Sequence, residues 1–173
     1  MSDLESKLIR RIRAWTLLFI IGLVVSGATA IPLETELNWL VRWSGAEQFA
    51  DASRSAPAPG WADWLLRVCD ALREVNTKFP FLSYGTDWLA FGHFVIAVAF
   101  VGLLRDPVRN RWLIDFGLIA CAMVIPYALV MGGIRGIPFG WRLIDCSFGL
   151  FGVIPLWWCR RMVDKLEGLA AAG

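Results

Sequence analysis

Between Arg13 and Glu34 the chain runs for twenty residues without a charge. At about 1.5 Å of rise per residue, a helix of that length crosses the roughly 30 Å hydrocarbon core of a bilayer. Three further runs follow: Trp88 to Leu104, interrupted only by His93; Trp112 to Met131, carrying the single acid Asp115; and Trp141 to Cys159, with Arg142 and Asp145 in its first turns. Inside lipid, backbone groups must be satisfied within the segment, so the runs predict transmembrane helices over about 14–33, 88–104, 112–131 and 141–159. The expected fold class is an all-α membrane protein, a four-transmembrane-helix bundle forming one membrane domain over residues 1–173. Composition agrees: 57% of residues are hydrophobic and 18% charged, too few charges to cover a water-facing surface. Ten Trp and eleven Phe supply the aromatic load expected where helices meet headgroups.

Lys and Arg in short flanks are retained on the cytoplasmic side. Lys7, Arg10, Arg11 and Arg13 precede the first run, Arg105, Arg109 and Arg111 fill the turn RDPVRNR, and Arg160, Arg161 and Lys165 follow the fourth. All three groups fall on one side. The expected location is therefore a bacterial-type inner (cytoplasmic) membrane, multi-pass, with both termini cytoplasmic. The basic n-region, apolar stretch and Ala28-Thr29-Ala30 also fit a cleavable leader, but the chain keeps these residues and the expectation is an uncleaved first helix. Basic residues sit in short runs beside apolar segments and form no continuous face, which excludes nucleic acid as a partner and leaves membrane lipids.

The outer loop, residues 34–87, is no polar tether. Leu37, Leu40 and Val41 recur at helical spacing beside Trp39 and Trp43, and Trp61, Trp64, Leu65, Val68, Ala71, Leu72 and Val75 form a second stripe. Both segments read as amphipathic helices lying on the membrane or on the bundle. Between them ADASRSAPAPG reads as a flexible connection. Cys69, Cys121, Cys146 and Cys159 show no C-x-x-C spacing and there is one histidine, so no metal site is expected.

Ionisable groups inside a bilayer are costly and call for an inward orientation and a partner. Arg142 and Asp145 are three apart, and Gly149 and Gly152 continue their face, so an ion pair leads into positions where another backbone can approach. His93 sits among Thr86, Ala90 and Ala97 and is expected to be buried, with Asp87 and Thr86 at the rim. In the turn GGIRGIPFGWR, glycines expose backbone N–H groups around Arg135. His93, Arg135, Arg142 and Asp145 are therefore the candidate ligand- or anion-binding residues. The alternative is structural: Arg142 with Asp145 as a clamp, His93 as a packing residue. Asp115 lies within reach of Arg105, Arg109 and Arg111 and reads as a structural salt bridge. Gly22, Ser26 and Ala30 form a small-residue stripe for packing within the chain or between copies.

The stretches RIRAWTLLFIIGLVVSG and LAFGHFVIAVAF resemble the opening helices of four-helix membrane cytochromes of the b type, whose members hold haem between histidines on facing helices. The resemblance covers roughly thirty residues. It implies either a relative without haem or one sharing it across an oligomer, because His93 is the only histidine and two are needed within one chain. No reaction is named by the residues. The leading expectation is a non-catalytic inner-membrane protein, either a subunit of a larger assembly (with copies of itself or other membrane subunits) or a binder of lipid or a small anionic amphiphile at the outer leaflet. The alternative is a membrane redox protein or enzyme using His93 and Asp145 around a quinone-like or haem-like group.

Overall fold

In a computed structural model, which describes residues 2–50 and 58–172, the described residues are almost all helical. Six α-helices occur among these residues: α1 (Asp3–Ala30), α2 (Leu33–Ser44), α3 (Gly60–Lys78), α4 (Tyr84–Arg105), α5 (Arg111–Ile134) and α6 (Phe139–Ala172). α1, α4 with the 3-10 turn before it, α5 and α6 are each long and apolar enough to cross a membrane. The connection expected to be flexible, residues 50–60, falls largely outside the described residues.

The helix ends follow local chemistry. α1 starts eleven residues before the uncharged run, because Ser2 and Glu5 form a capping box: Glu5 N donates to Ser2 Oγ at 3.2 Å and Ser2 N donates to Glu5 Oε2 at 2.6 Å. It stops before Pro32, which has no N–H to continue the ladder. Gly45, at φ 73°, ends α2 in the left-handed region that suits glycine. Pro80 and Pro107 follow the ends of α3 and α4. α6 continues past the apolar run to Ala172, with Arg160, Arg161, Asp164, Lys165 and Glu167 in the extension.

The chain divides into two compact units, residues 1–24 with 95–173 and residues 25–94. In the first, a core of Leu8 and Ile12 from α1, Phe100 and Leu103 from α4, Leu113, Ile114 and Cys121 from α5, and Leu156, Cys159 and Val163 from α6 is shielded from solvent. Thr16 is the one buried polar side chain in the described core, and it meets the Cys159 thiol at 3.7 Å. α5 and α6 run antiparallel and close. A Cβ on Gly149 would lie 2.5 Å from the Cys121 carbonyl oxygen, one on Gly152 2.6 Å from Cys121 Sγ, and one on Gly117 2.7 Å from Leu156. Gly149 and Gly152 thus provide the close backbone approach that their spacing predicts. The opposite face of α5 exposes Trp112, Phe116, Ile119, Met123, Tyr127 and Val130, recurring every three or four residues.

The second unit is smaller and more polar. Val41, Ala46, Ala62, Leu65 and Cys69 are its buried residues from α2, α3 and the turn between them. The buried face of α3 is therefore rotated from the expected stripe: Ala62 and Cys69 are inside, whereas Trp61 is 45% exposed and Ala71 is open. Leu65, between Ala62 and Cys69 on the same face, is inside as well. Polar links tie the helices: Asn76 Nδ2 donates to Glu34 Oε2 at 2.6 Å, Arg73 Nη2 donates to Asn38 Oδ1 at 3.2 Å, and Ser83 Oγ donates to Asn76 Oδ1. The tight glycine of α1 is Gly27 and not Gly22: a Cβ on Gly27 would lie 2.8 Å from Phe94 and 3.0 Å from the Ala90 carbonyl, while Gly22 has nothing within 4 Å.

Candidate functional site

The turn between α5 and α6 is closed by a Schellman motif. Gly136, at φ 70°, lets Ile137 N donate to Gly132 O at 2.8 Å while Gly136 N donates to Gly133 O at 3.1 Å. Arg142 completes the turn. Its Nε donates to Ile137 O at 2.6 Å, and Nη1 reaches Leu129 O at 3.5 Å. The stem of Arg142 lies across the paired glycines, so that a Cβ on Gly132 would come within 2.8 Å of Arg142 Cγ and one on Gly133 within 3.2 Å of Nη1. The glycines expected to expose N–H groups to an anion instead make room for an arginine that binds carbonyls.

That commitment corrects the expected clamp: Arg142 is engaged with backbone oxygens and not with Asp145. Asp145 is exposed and has no hydrogen bond or ion pair among the described residues. On the helical wheel it lies about 40° from the buried Gly149 and about 60° from the exposed Phe148, at the edge between the packed and the exposed face of α6. Arg135 caps α5 through its backbone N, 2.9 Å from Met131 O, and its exposed side chain has no partner among the described residues.

His93 belongs to the other unit, as do Thr86 and Asp87. It is half-buried and not fully enclosed as expected, with Nδ1 2.8 Å from the Leu89 carbonyl of its own helix. A carbonyl can only accept, so Nδ1 is the donor in this bond, and Nε2 is the ring nitrogen left for another partner. Thr86 donates to Ser83 O at 2.6 Å and fixes the entry into α4. Asp87 is exposed and, with Tyr84, Trp88 and Phe91, lines an open groove of about 240 Å³.

Asp115 is paired, as its flanks suggest, through a larger network. Arg160 Nε donates to Asp115 Oδ1 at 2.7 Å and its Nη1 to Asp164; Arg111 Nη1 donates to Glu167 Oε2 at 2.6 Å and its Nε lies 3.9 Å from Asp115. Of the three expected arginines only Arg111 takes part. Arg160, the principal partner, was legible in the i,i+4 spacings Arg111/Asp115 and Arg160/Asp164, which put both pairs on facing helix surfaces. At the same end, Glu5, Arg13, Arg105, Asp106 and Leu166 share a groove of about 360 Å³, and Arg13 Nε donates to Leu104 O at 2.9 Å, satisfying a carbonyl at the end of α4. Among the described residues no three His, Cys, Asp or Glu side chains gather as a metal would require. Comparison with protein-family models, curated proteins and solved structures finds no match to this chain.

Proposed function

We propose that the chain is a non-catalytic, multi-pass protein of a bacterial-type inner membrane and serves as one subunit of a larger membrane assembly. The observation that carries this reading is Asp145, exposed in a helix of membrane length and without a partner among the described residues. A carboxylate at such depth costs several kcal/mol unless paired, so a counter-group is required. In this reading a neighbouring subunit supplies it, from its own copy or another chain. Both termini and the α4–α5 turn are cytoplasmic, the long helices form a bundle across the bilayer, and α2 and α3 lie at the outer interface. Ten of the seventeen basic residues in three short segments support that orientation. The commitment of Arg142 to turn carbonyls supports a structural and not a catalytic use of the charges.

The test is the size of the particle extracted from membranes under mild conditions. The assembly reading expects a particle well above the 19.4 kDa chain, and expects Asp145→Asn to shrink it without loss of helix content. A wild-type chain that is monomeric in extracted native membrane discs overturns it.

Arg135 favours a second reading, an anionic headgroup site at the outer leaflet, because its guanidinium is exposed beside Gly136 with no side-chain partner among the described residues. Arg135→Gln would then leave thermal unfolding unchanged while lowering retention of phosphatidylglycerol during purification. Equal retention by the two proteins removes this reading.

A further inference from the structure

We propose that the groove lined by Tyr84, Asp87, Trp88 and Phe91 is a headgroup site that takes the ammonium of a zwitterionic phospholipid. The proposal rests on the membrane reading above. Residues 84, 88 and 91 recur at helical spacing and share one face of α4, with Asp87 beside them. The Trp88 ring stands nearly perpendicular to both neighbours: 81° to Tyr84 with centroids 5.9 Å apart, and 88° to Phe91 with centroids 5.4 Å apart. Ring planes at right angles form corners, where a small cation can rest on one ring face while touching the next. All three residues are more than half exposed, at 59, 56 and 53% for Tyr84, Trp88 and Phe91, so the groove they line is open.

Aromatic faces attract alkylammonium ions through the ring quadrupole, and a carboxylate at the groove's edge adds full charge. Asp87 has no hydrogen bond or ion pair among the described residues. No cation of the described chain occupies the groove: Lys78, the nearest basic residue before it in sequence, is held by Glu74 at 2.7 Å. In the other unit the chain supplies its own cation to such a ring, with Arg161 over Trp157 at 5.1 Å. An interfacial belt accounts for Tyr84 and Trp88 as anchors, but not for an unpaired carboxylate set among three rings. The occupant is a lipid because the groove opens at the start of α4, where the apolar run begins at Trp88 and headgroups lie in the membrane reading. Its volume of about 240 Å³ suits a headgroup and not a whole acyl chain.

Native mass spectrometry of the purified full chain, titrated separately with phosphatidylethanolamine and phosphatidylglycerol, tests this. The wild type should retain the zwitterionic lipid preferentially. Asp87→Asn and Trp88→Leu should each lower that retention about three- to tenfold, with helix content unchanged. Trp157→Leu, on a ring already occupied by Arg161, should leave it unchanged. Tetramethylammonium chloride should displace the lipid where equal sodium chloride does not. Equal binding of both lipids by the wild type, unaltered retention in both groove variants, an equal loss in Trp157→Leu, or displacement by sodium chloride overturns the site. Tetramethylammonium binding as tight as the lipid's would replace the lipid by a soluble cation and likewise overturn the proposal. A chain stripped from vesicles by alkaline carbonate sinks the membrane reading itself, which none of the titration outcomes does.

Discussion

The two units solve the same problem, helix against helix, with different materials. In residues 1–24 with 95–173, α5 and α6 approach through glycines and a thiol, and the core contains Phe100, Leu103, Ile114 and Leu156 with Thr16 as its polar member. In residues 25–94, α2 and α3 bury only a few side chains, Leu65 the largest of them, and add polar links from Glu34, Asn38, Arg73 and Asn76. Charge divides likewise: the first unit has twelve basic and seven acidic residues, the second five basic and eight acidic. Lipid offers helices no hydrophobic incentive to associate, so contact there depends on close van der Waals fit. Where water is available, a modest apolar stripe suffices and polar side chains can finish the job. In the membrane reading proposed above, this is the contrast expected of α5 and α6 packed in lipid and of α2 and α3 at its polar boundary.

If fit governs the first unit, a larger side chain at its closest contact should be the most damaging change in the molecule. Gly149→Val must push against the Cys121 backbone, and should lower stability by about 3 kcal/mol, the upper end for overpacking, as read by thermal unfolding in detergent. Gly22→Val, with open space around it, should stay within about 0.5 kcal/mol. Equal effects at the two glycines would break the comparison. Leu65→Ala should cost about 2 kcal/mol by leaving a cavity in the small core of α2 and α3. Amide exchange should then accelerate in those helices and not in α5 and α6; acceleration in both would show one cooperative body. Asp115→Asn should cost at most about 1 kcal/mol, because the carboxylate is 46% exposed and water screens its pairs, and the loss should fade at high salt. A salt-independent loss would mark that end as desolvated.

The long helices were legible because apolar runs of 17 to 20 residues with at most two charges allow few alternatives in any solvent. Their ends were less so: α1 extends back to Asp3 through the Ser2–Glu5 capping box, a signal present in the sequence but outside the apolar run. The site residues divide the same way. Gly149 and Gly152 could be placed because helical spacing alone puts them on a packing face. Arg142 could not, since its partners are backbone carbonyls of the α5–α6 turn, and one-letter spacing does not reveal which carbonyls a turn leaves free. Ala62 and Cys69 were missed because the stripe was drawn through the large apolar side chains Trp61 and Trp64, whereas the buried face of α3 runs through Ala62, Leu65 and Cys69.

The central proposal is that α2 and α3 lie outside the membrane's apolar core on its outer side and the α4–α5 turn on the cytoplasmic side, and site-directed labelling addresses it directly. The native thiols are buried, and burial pushes the Cys69 thiol up, against the pull of Arg73, so it stays largely protonated at neutral pH and reacts slowly. With all four replaced by alanine, a membrane-impermeant maleimide should label Arg67→Cys in intact cells, and should label Val108→Cys only after the cells are opened. Labelling of Val108→Cys in intact cells, with Arg67→Cys protected until opening, would contradict the orientation and the assignment of the outer helices.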